Sequence, residues 1–411
     1  MERTIVGIDV GTTKICTLVG QVGDNGILRV IGVGVVPSRG LRKGVITDVE
    51  EASKAIHESL QKAERVSGYP ITEAYVGVAG SHISSQNSRG VAAIGRGDRP
   101  IDRDDVERAL EAAQAITVPH NRRIIHCIPR EFTVDGQNGI TNPLGLMGFR
   151  LEVEAHIVTG AVAAIQNLVH CVQKNNINIV ELVLQPLASA EAVLTEEEKN
   201  MGVALVDMGG GTTDVAIYVA GSAWETLVFG VGGNNITNDV AVVLRTPFAT
   251  AEDAKIRYAH AVPSAVGQEE IIEIKTFGDE NLTTISRQRL CQVVSARLED
   301  MFEMISREIK RSGFDGLLPA GIVLTGGTAN LTGIRDIAAR VLQFPVRIGM
   351  PRRLHGLIET ISNPAYATSV GLLLWGMREE ATVAAGGPKP AGGGEWYQRV
   401  LEWLRVFLPR G

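Results

Sequence analysis

The residues best placed for chemistry are Asp207 and Asp214, which flank Met208-Gly209-Gly210-Gly211-Thr212-Thr213. An apolar run, Gly202-Val203-Ala204-Leu205-Val206, leads into this stretch, and Val215-Ala216-Ile217-Tyr218-Val219 leads out. The pattern predicts strand, tight turn, strand: a β-hairpin with an acid at each root. Three glycines permit positive φ, so successive N–H groups can converge on one point, and two threonine hydroxyls add donors. Such a nest suits a phosphate. Asp207, at the strand end, suits a hydrated Mg²⁺ bound to that phosphate. An ordinary glycine-rich hairpin with capping acids has the same composition.

Near the start, Val6-Gly7-Ile8-Asp9-Val10-Gly11-Thr12-Thr13-Lys14-Ile15 repeats the grammar. Two copies of one unusual hairpin predict an internal duplication. Facing each other, they could grip a nucleotide's phosphates from two sides. Asp9 and Asp207 would then share one Mg²⁺ through water, and Lys14 would supply a cation. A third glycine signature, Gly321-Ile322-Val323-Leu324-Thr325-Gly326-Gly327, predicts a buried strand, a turn, and a helix beginning near Leu331. With no Cβ in the way, an adenine or α-phosphate could approach that turn closely. A plain strand–helix turn is the alternative.

The elements that must position these loops are legible. Thr4 to Gly20 predicts the first hairpin, and Ile27 to Val36 a third strand. Thr47-Asp48-Val49-Glu50 reads as a capping box opening a helix to about Ser67, with Gly68 beyond it. Ala52, Ala55, Ile56, Leu60 and Ala63 form its apolar face. Tyr75 to Ala79 is the next strand. From about Ser81 the pattern changes. His82 to Ile94 alternates like a hairpin, Asp102 caps a helix through Ala115, and Arg123 to Val134 and Phe149 to Val158 read as strands. This predicts an inserted α+β subdomain at 82–160. After a helix from Ala161 and a strand at Glu181 to Leu184, Gln185-Pro186-Leu187 starts another helix. Beyond the second hairpin, Glu225 to Phe229 predicts a strand, Gly232-Gly233-Asn234 opens a helix, and Ala251 to Lys255 lies in the next. Ser286 to Arg311 is a long amphipathic helix stopped by Gly313.

The totals agree with a multi-domain globular chain: 411 residues, 45% hydrophobic and 21% charged. A net charge of −6 argues against a broad nucleic-acid surface. Cys16, Cys127, Cys171 and Cys291 show neither zinc spacing nor a disulfide framework, which fits a reducing cytoplasm. No signal peptide or apolar run of transmembrane length is expected. Neither a Walker A motif nor Gly-x-Gly-x-x-Gly occurs, so a P-loop fold and a dinucleotide fold are unsupported.

Residues 381–394 read as a flexible linker. The stretch 395–411 is amphipathic. Trp396, Val400, Trp403, Leu404 and Phe407 fall with Tyr397, Leu401 and Leu408 within an arc of roughly 160°. Gln398, Arg399, Glu402 and Arg405 face the other way. An aromatic amphipathic helix with arginines, held on a linker, reads as a membrane-surface anchor. A helix that folds back or fills a partner's groove is the alternative.

The three loops in this order, with an insertion after the first strand set, resemble the actin superfamily. More narrowly, the chain resembles the bacterial cell-division FtsA family. The narrower likeness rests on the insertion after Val76-Gly77-Val78-Ala79-Gly80-Ser81-His82-Ile83, on Arg130-Glu131-Phe132 with Gly139-Ile140-Thr141-Asn142-Pro143, on Pro345-Val346-Arg347-Ile348-Gly349, and on the linker with its terminal helix. The resemblance implies an α/β, actin-like ATPase fold: two ribonuclease-H-like cores flanking a nucleotide cleft, with an inserted α+β subdomain. The first core would comprise 1–81, 161–197 and 354–380. The second would comprise 198–233 and 318–353, carrying a subdomain at 234–317.

The resemblance also implies ATP and Mg²⁺ as ligands. Gly11, Thr12, Thr13 and Lys14 would form the first phosphate loop with Asp9, and Gly209, Gly210, Gly211, Thr212 and Thr213 the second with Asp207. Gly232 and Gly233 open the following helix and join the cofactor set. Gly326 and Gly327 would line the adenosine pocket, with Glu252 and Lys255 on the ribose side. Gln185 falls where superfamily members orient the attacking water, making Gln185, Asp9 and Asp207 the catalytic candidates. A plain turn residue before Pro186 is the other reading of Gln185, and hydrolysis is expected to be slow at most. The implied role is a filament on the cytoplasmic face of the inner membrane at the division site, peripherally held through 395–411. It would tether FtsZ through a C-terminal peptide docked on 234–317 and recruit later division proteins through 82–160. A pilus-assembly ATP-binding scaffold is the nearest rival. A same-fold small-molecule kinase would need a catalytic acid and a substrate pocket that the sequence does not offer.

Overall fold

The computed structural model describes residues 3–23, 26–95, 99–278, 282–352 and 355–384. In chain order, β1 (Arg3–Val10), β2 (Lys14–Val22), β3 (Leu28–Pro37), the short β4 (Leu41–Arg42) and β5 (Val45–Ile46), α1 (Val49–Ser67) and β6 (Glu73–Val78) come first. Next are β7 (Ile83–Ala93), α2 (Arg103–Gln114), β8 (Arg122–Val134), β9 (Gln137–Ile140) and β10 (Arg150–Ala161). Then follow α3 (Val162–Gln173), β11 (Asn178–Leu184), α4 (Gln185–Val193) and α5 (Glu196–Met201). The second half begins with β12 (Val203–Met208), β13 (Thr213–Val219), β14 (Ser222–Phe229), α6 (Gly233–Leu244) and α7 (Phe248–Tyr258). It continues with β15 (Ile271–Lys275), β16 (Leu282–Ser286), α8 (Arg287–Arg311), β17 (Ile322–Thr325), α9 (Ile334–Leu342) and β18 (Val346–Ile348). The last elements are β19 (His355–Gly356), α10 (Ile358–Ile361) and α11 (Ala367–Ala384).

The duplication is real at the level of topology. One sheet runs β11-β6-β1-β2-β3-β19 and the other β14-β13-β12-β17-β18. In each, a hairpin and a third antiparallel strand (β1-β2-β3; β12-β13-β14) are extended by two parallel strands (β6-β11; β17-β18). Strands buried on both faces explain the unbroken apolar runs around each hairpin. Helix α1 covers the first sheet with Ala52, Ala55, Ile56, Leu60 and Ala63, all buried. Helix α8 buries Leu290, Val294, Leu298, Met301, Phe302, Ile305 and Ile309 in the core of the second half. A third core lies between α2 and the antiparallel sheet β7-β10-β8-β9. The four cysteines are free, buried thiols.

Several expectations need correction. Residues 82–94 are not a hairpin: β7 is one strand of 11 residues, paired edge to edge with β10, its alternation reflecting one face covered by α2. The N-cap of α1 is Asp48, which accepts from the Glu51 N–H, whereas the Thr47 hydroxyl donates to the Gly40 carbonyl. A 3₁₀ turn at Gly327–Asn330 precedes α9, which starts at Ile334 rather than near Leu331. Strand β9 arises inside the turn-rich stretch 136–148, and the hairpin β15-β16 is unforeseen. Residues 381–384 are the last turn of α11, not linker. The remainder of the linker, and Trp396, Val400, Trp403, Leu404 and Phe407, lie outside the described residues. No described helix is long and apolar enough to cross a membrane.

Candidate functional site

Both hairpin turns are closed by the same backbone bond. The Gly11 N–H donates to the Lys14 carbonyl at 3.1 Å, and the Gly209 N–H to the Thr212 carbonyl at 2.9 Å. Asp9 and Asp207 thus occupy equivalent positions, two residues before each turn. The tips meet: a Cβ on Gly210 would stand 1.9 Å from the Thr13 hydroxyl, and one on Gly211 2.6 Å from that of Thr12. Only a residue without a side chain allows this approach. The third turn joins them, because the Thr328 hydroxyl donates to the Gly209 carbonyl at 3.0 Å. Gly326 takes φ +85°, and a Cβ there would lie 2.4 Å from Asp207 Oδ1.

These loops enclose a cavity of about 510 Å³, within the range of small-ligand and cofactor sites. Asp9, Gly11, Thr12, Thr13, Lys14, Gln185, Asp207, Gly209, Gly210, Gly211, Thr212, Gly233, Glu252, Lys255, Gly326 and Gly327 all line it. Thr213 and Gly232 do not. The Thr213 side chain is buried in β13 and donates to the Val231 carbonyl, and Gly232 packs on the Gly209 and Gly210 backbone. Nor is the α6 N-terminus open to an anion, since the Gly209 and Gly210 carbonyls already accept from the Gly233 and Asn234 N–H groups.

The electrostatics are those of a buried acid pair. Burial pushes the Asp9 carboxyl up to about 6 and Asp207 acts in the same direction, while Lys14 and the Ser369 hydroxyl hold it down. Burial raises Asp207 as well, against Ser189 and Thr368. Asp214 is pushed up to about 8 by burial and then by Asp207, and its Oδ1 has no hydrogen-bond partner. Lys14 faces these acids from the cavity wall. Its Nζ donates to the Ala365 carbonyl and lies 3.5 Å from the Tyr366 ring centroid. Among the described residues no cluster of three or more metal-binding side chains exists. Two carboxylates without further protein ligands fit Mg²⁺, which keeps several waters and shares phosphate oxygens. On the far side, Lys255 Nζ bonds Glu252 at 2.7 Å, Thr237 at 2.8 Å and the Gly233 carbonyl at 3.2 Å. Ile256, Ala259 and Leu331 supply an apolar wall there.

The sequence reading missed Ser189, Thr368, Ser369 and Tyr366. The available signal was a Tyr-Ala-Thr-Ser start to the otherwise apolar run Val370 to Trp375. It also missed the Asn330–Asn363 pair at the cavity rim, whose amides exchange two bonds of 2.9 Å.

Known proteins resemble this chain in sequence and in fold. The family model for cell division protein FtsA matches residues 204–371, and that for the SHS2 domain inserted in FtsA matches residues 80–159. The cell division protein FtsA of Pseudomonas aeruginosa is 44% identical over 379 residues, 92% of this chain and 90% of its own length. That of Neisseria meningitidis is 38% identical, with 98% of each chain covered. Among solved structures, the PilM–PilN type IV pilus biogenesis complex matches with a TM-score of 0.66 at 15% identity, covering 91% of this chain and 98% of that one. MreB5 of Spiroplasma citri bound to ADP matches with 0.57 at 14% identity, covering 93% and 98%. The MamK double helical filament matches with 0.51 at 13% identity, covering 91% and 98%. The structural matches speak for the fold and the sequence matches for the family: the chain has the actin-like ATPase fold, with an inserted SHS2 domain, and belongs to the cell division protein FtsA family.

Proposed function

We propose that this protein is an ATP-dependent scaffold of cell division that polymerises on the cytoplasmic face of the inner membrane, tethers FtsZ there and recruits later division proteins. The observation that carries the reading is the convergence of two duplicated hairpins and the Gly326 turn on one cavity holding Asp9, Asp207 and Lys14. Asp9 and Asp207 would hold Mg²⁺ through water, and Lys14 and the two turns would hold the phosphates. A bound Mg²⁺ would neutralise phosphate charge. Gln185 donates its amide to Asp9 at 3.0 Å, which leaves its carbonyl oxygen to accept from a water. That geometry permits slow hydrolysis.

Filament formation gives the membrane contact its strength. One amphipathic helix binds a lipid surface marginally and reversibly. Several helices on one filament make later contacts intramolecular and raise avidity by about 10²–10⁴. Docking of an FtsZ C-terminal peptide on the 234–317 subdomain is supported by a shallow groove between α6 and α8. Asp239, Val242, Val243, Val293 and Arg297 line it, and Val242 is 77% exposed. The 82–160 subdomain is assigned to later division partners, and self-association accords with a neighbour solved as a filament.

Liposome co-sedimentation of the full chain and of a truncation after Gly394, with and without ATP and Mg²⁺, tests the reading. The full chain alone should pellet, and more so with nucleotide. If both remain in the supernatant, the tether reading fails.

A further inference from the structure

Four polar side chains hold the acid pair, and all come from two helices. From α4, Gln185 Nε2 donates to Asp9 Oδ1 at 3.0 Å and the Ser189 hydroxyl to Asp207 Oδ2 at 2.5 Å. From α11, the Ser369 hydroxyl donates to Asp9 Oδ2 at 3.1 Å and the Thr368 hydroxyl lies 3.2 Å from Asp207 Oδ2. The Ser189 and Thr368 hydroxyl oxygens stand 2.9 Å apart, side by side on the same Asp207 oxygen. All three hydroxyl residues are buried.

Two features make this more than packing. Adjacent residues of one helical turn reach acids on different sheets: Ser369 holds Asp9 of β1, and Thr368 holds Asp207 of β12. The spacing of the acids is therefore tied to a rigid element. That element is seated on α4 by backbone contact, since a Cβ on Gly371 would fall 1.8 Å from the Ala188 carbonyl oxygen. Secondly, the donors are neutral. A lysine or arginine in their place would cancel the carboxylate charge, whereas a hydroxyl fixes an oxygen's orientation and leaves the charge for a cation.

We propose that Ser189, Thr368 and Ser369 are positioning residues for the metal–nucleotide site, orienting Asp9 and Asp207 so that both address one hydrated Mg²⁺. The inference rests on the reading of the cavity as a magnesium–ATP site. It assigns to the first turn of α11 the task of setting the geometry between the two halves of the molecule.

The test is titration of a fluorescent ATP analogue into the full chain, in Mg²⁺ and in EDTA. Thr368→Val removes the hydroxyl at nearly constant volume, and Ser189→Ala and Ser369→Ala remove the others. Each should reduce the Mg²⁺-dependent gain in affinity by about 10–100-fold, as for other partners of metal-ligating groups, while the metal-free affinity stays at the wild-type value. Thr368→Ser should restore the gain. An undiminished gain in Thr368→Val overturns the proposal. So does an equal loss with and without Mg²⁺, which marks a purely structural role. If the wild type shows no Mg²⁺-dependent gain, the magnesium–ATP reading itself falls. Should Ser369→Ala fail to fold, Thr368→Val and Ser189→Ala carry the same test.

Discussion

Asp9→Asn should make the ligand-free protein more stable while removing its response to Mg²⁺–ATP. Asp9 is 6% exposed, and burial raises its pKa from 3.8 to about 6. A carboxyl whose folded pKa lies above its unfolded one contributes stability that is complete below the unfolded pKa and lost as pH rises through the folded one. The window is thus pH 3.8 to about 6. At about 1.4 kcal/mol per pH unit, ionised Asp9 withholds about 3 kcal/mol at pH 7.5. Asparagine removes that penalty. Its oxygen can accept from only one of Gln185 and Ser369, because its NH₂ faces the other donor, at a loss of about 1 kcal/mol. The net gain is about 2 kcal/mol, or roughly 2 °C in a chain of 411 residues. Differential scanning calorimetry at pH 7.5 without nucleotide should show that rise, and at pH 4 it should vanish. With Mg²⁺–ATP at about 100 times Kd, the wild type gains about 2.7 kcal/mol and the variant none, so the order inverts. A variant less stable than wild type at pH 7.5 without ligand, or one equally stabilised by Mg²⁺–ATP, would refute the reasoning.

Two further outcomes follow from named contacts. Gly326→Ala forces a side chain into a positive-φ position 2.4 Å from Asp207 Oδ1; it should cost about 1–3 kcal/mol of stability and abolish nucleotide binding in the same titration, and unchanged binding would count against the turn's place at the site. His156 is buried where the inserted sheet meets β14, bonded to Asn87 at 2.8 Å and to Thr226 at 2.9 Å, with its pKa pushed down to about 3 by burial. A histidine depressed in the fold contributes stability present above its unfolded pKa of about 6.5 and lost as pH falls toward 3. Hydrogen exchange in β7 and β14, corrected for intrinsic rate, should be faster at pH 5 than at pH 7, and His156→Gln should flatten that difference.

The hairpins were legible because their signals are local. Apolar strand, acid, glycines and threonines are contiguous, and a hairpin's register follows from its own turn. The same holds for α1 and α8, whose apolar stripes are buried throughout, together with Ser53, Ser59 and Ser295. What failed was of another kind. The alternation of 82–94 fits one half-buried strand as well as two short ones, and only the pairing of β7 with β10 decides between them. Strand β9 lies in a polar, turn-rich segment where pairing, not periodicity, makes the strand, whereas β15 carries a short alternation, Ile272 and Ile274 buried between exposed neighbours, too brief to stand out without its partner β16.

The sequence by itself determined that two copies of an acid–glycine–threonine hairpin exist, that a glycine turn follows later, and that the chain resembles the FtsA family. Those are properties of short windows, in which residue type sets backbone conformation and donor supply directly. Only the tertiary structure decided that Thr213 and Gly232 face away from the cavity and that the α6 N-terminus is already satisfied by the Gly209 and Gly210 carbonyls. It alone brought Thr368 and Ser369 to acids 161 and 360 residues away. A hydroxyl in an apolar helix carries no record of its partner. Its role exists once the two sheets have folded around α4 and α11 and left two buried carboxylates in need of donors.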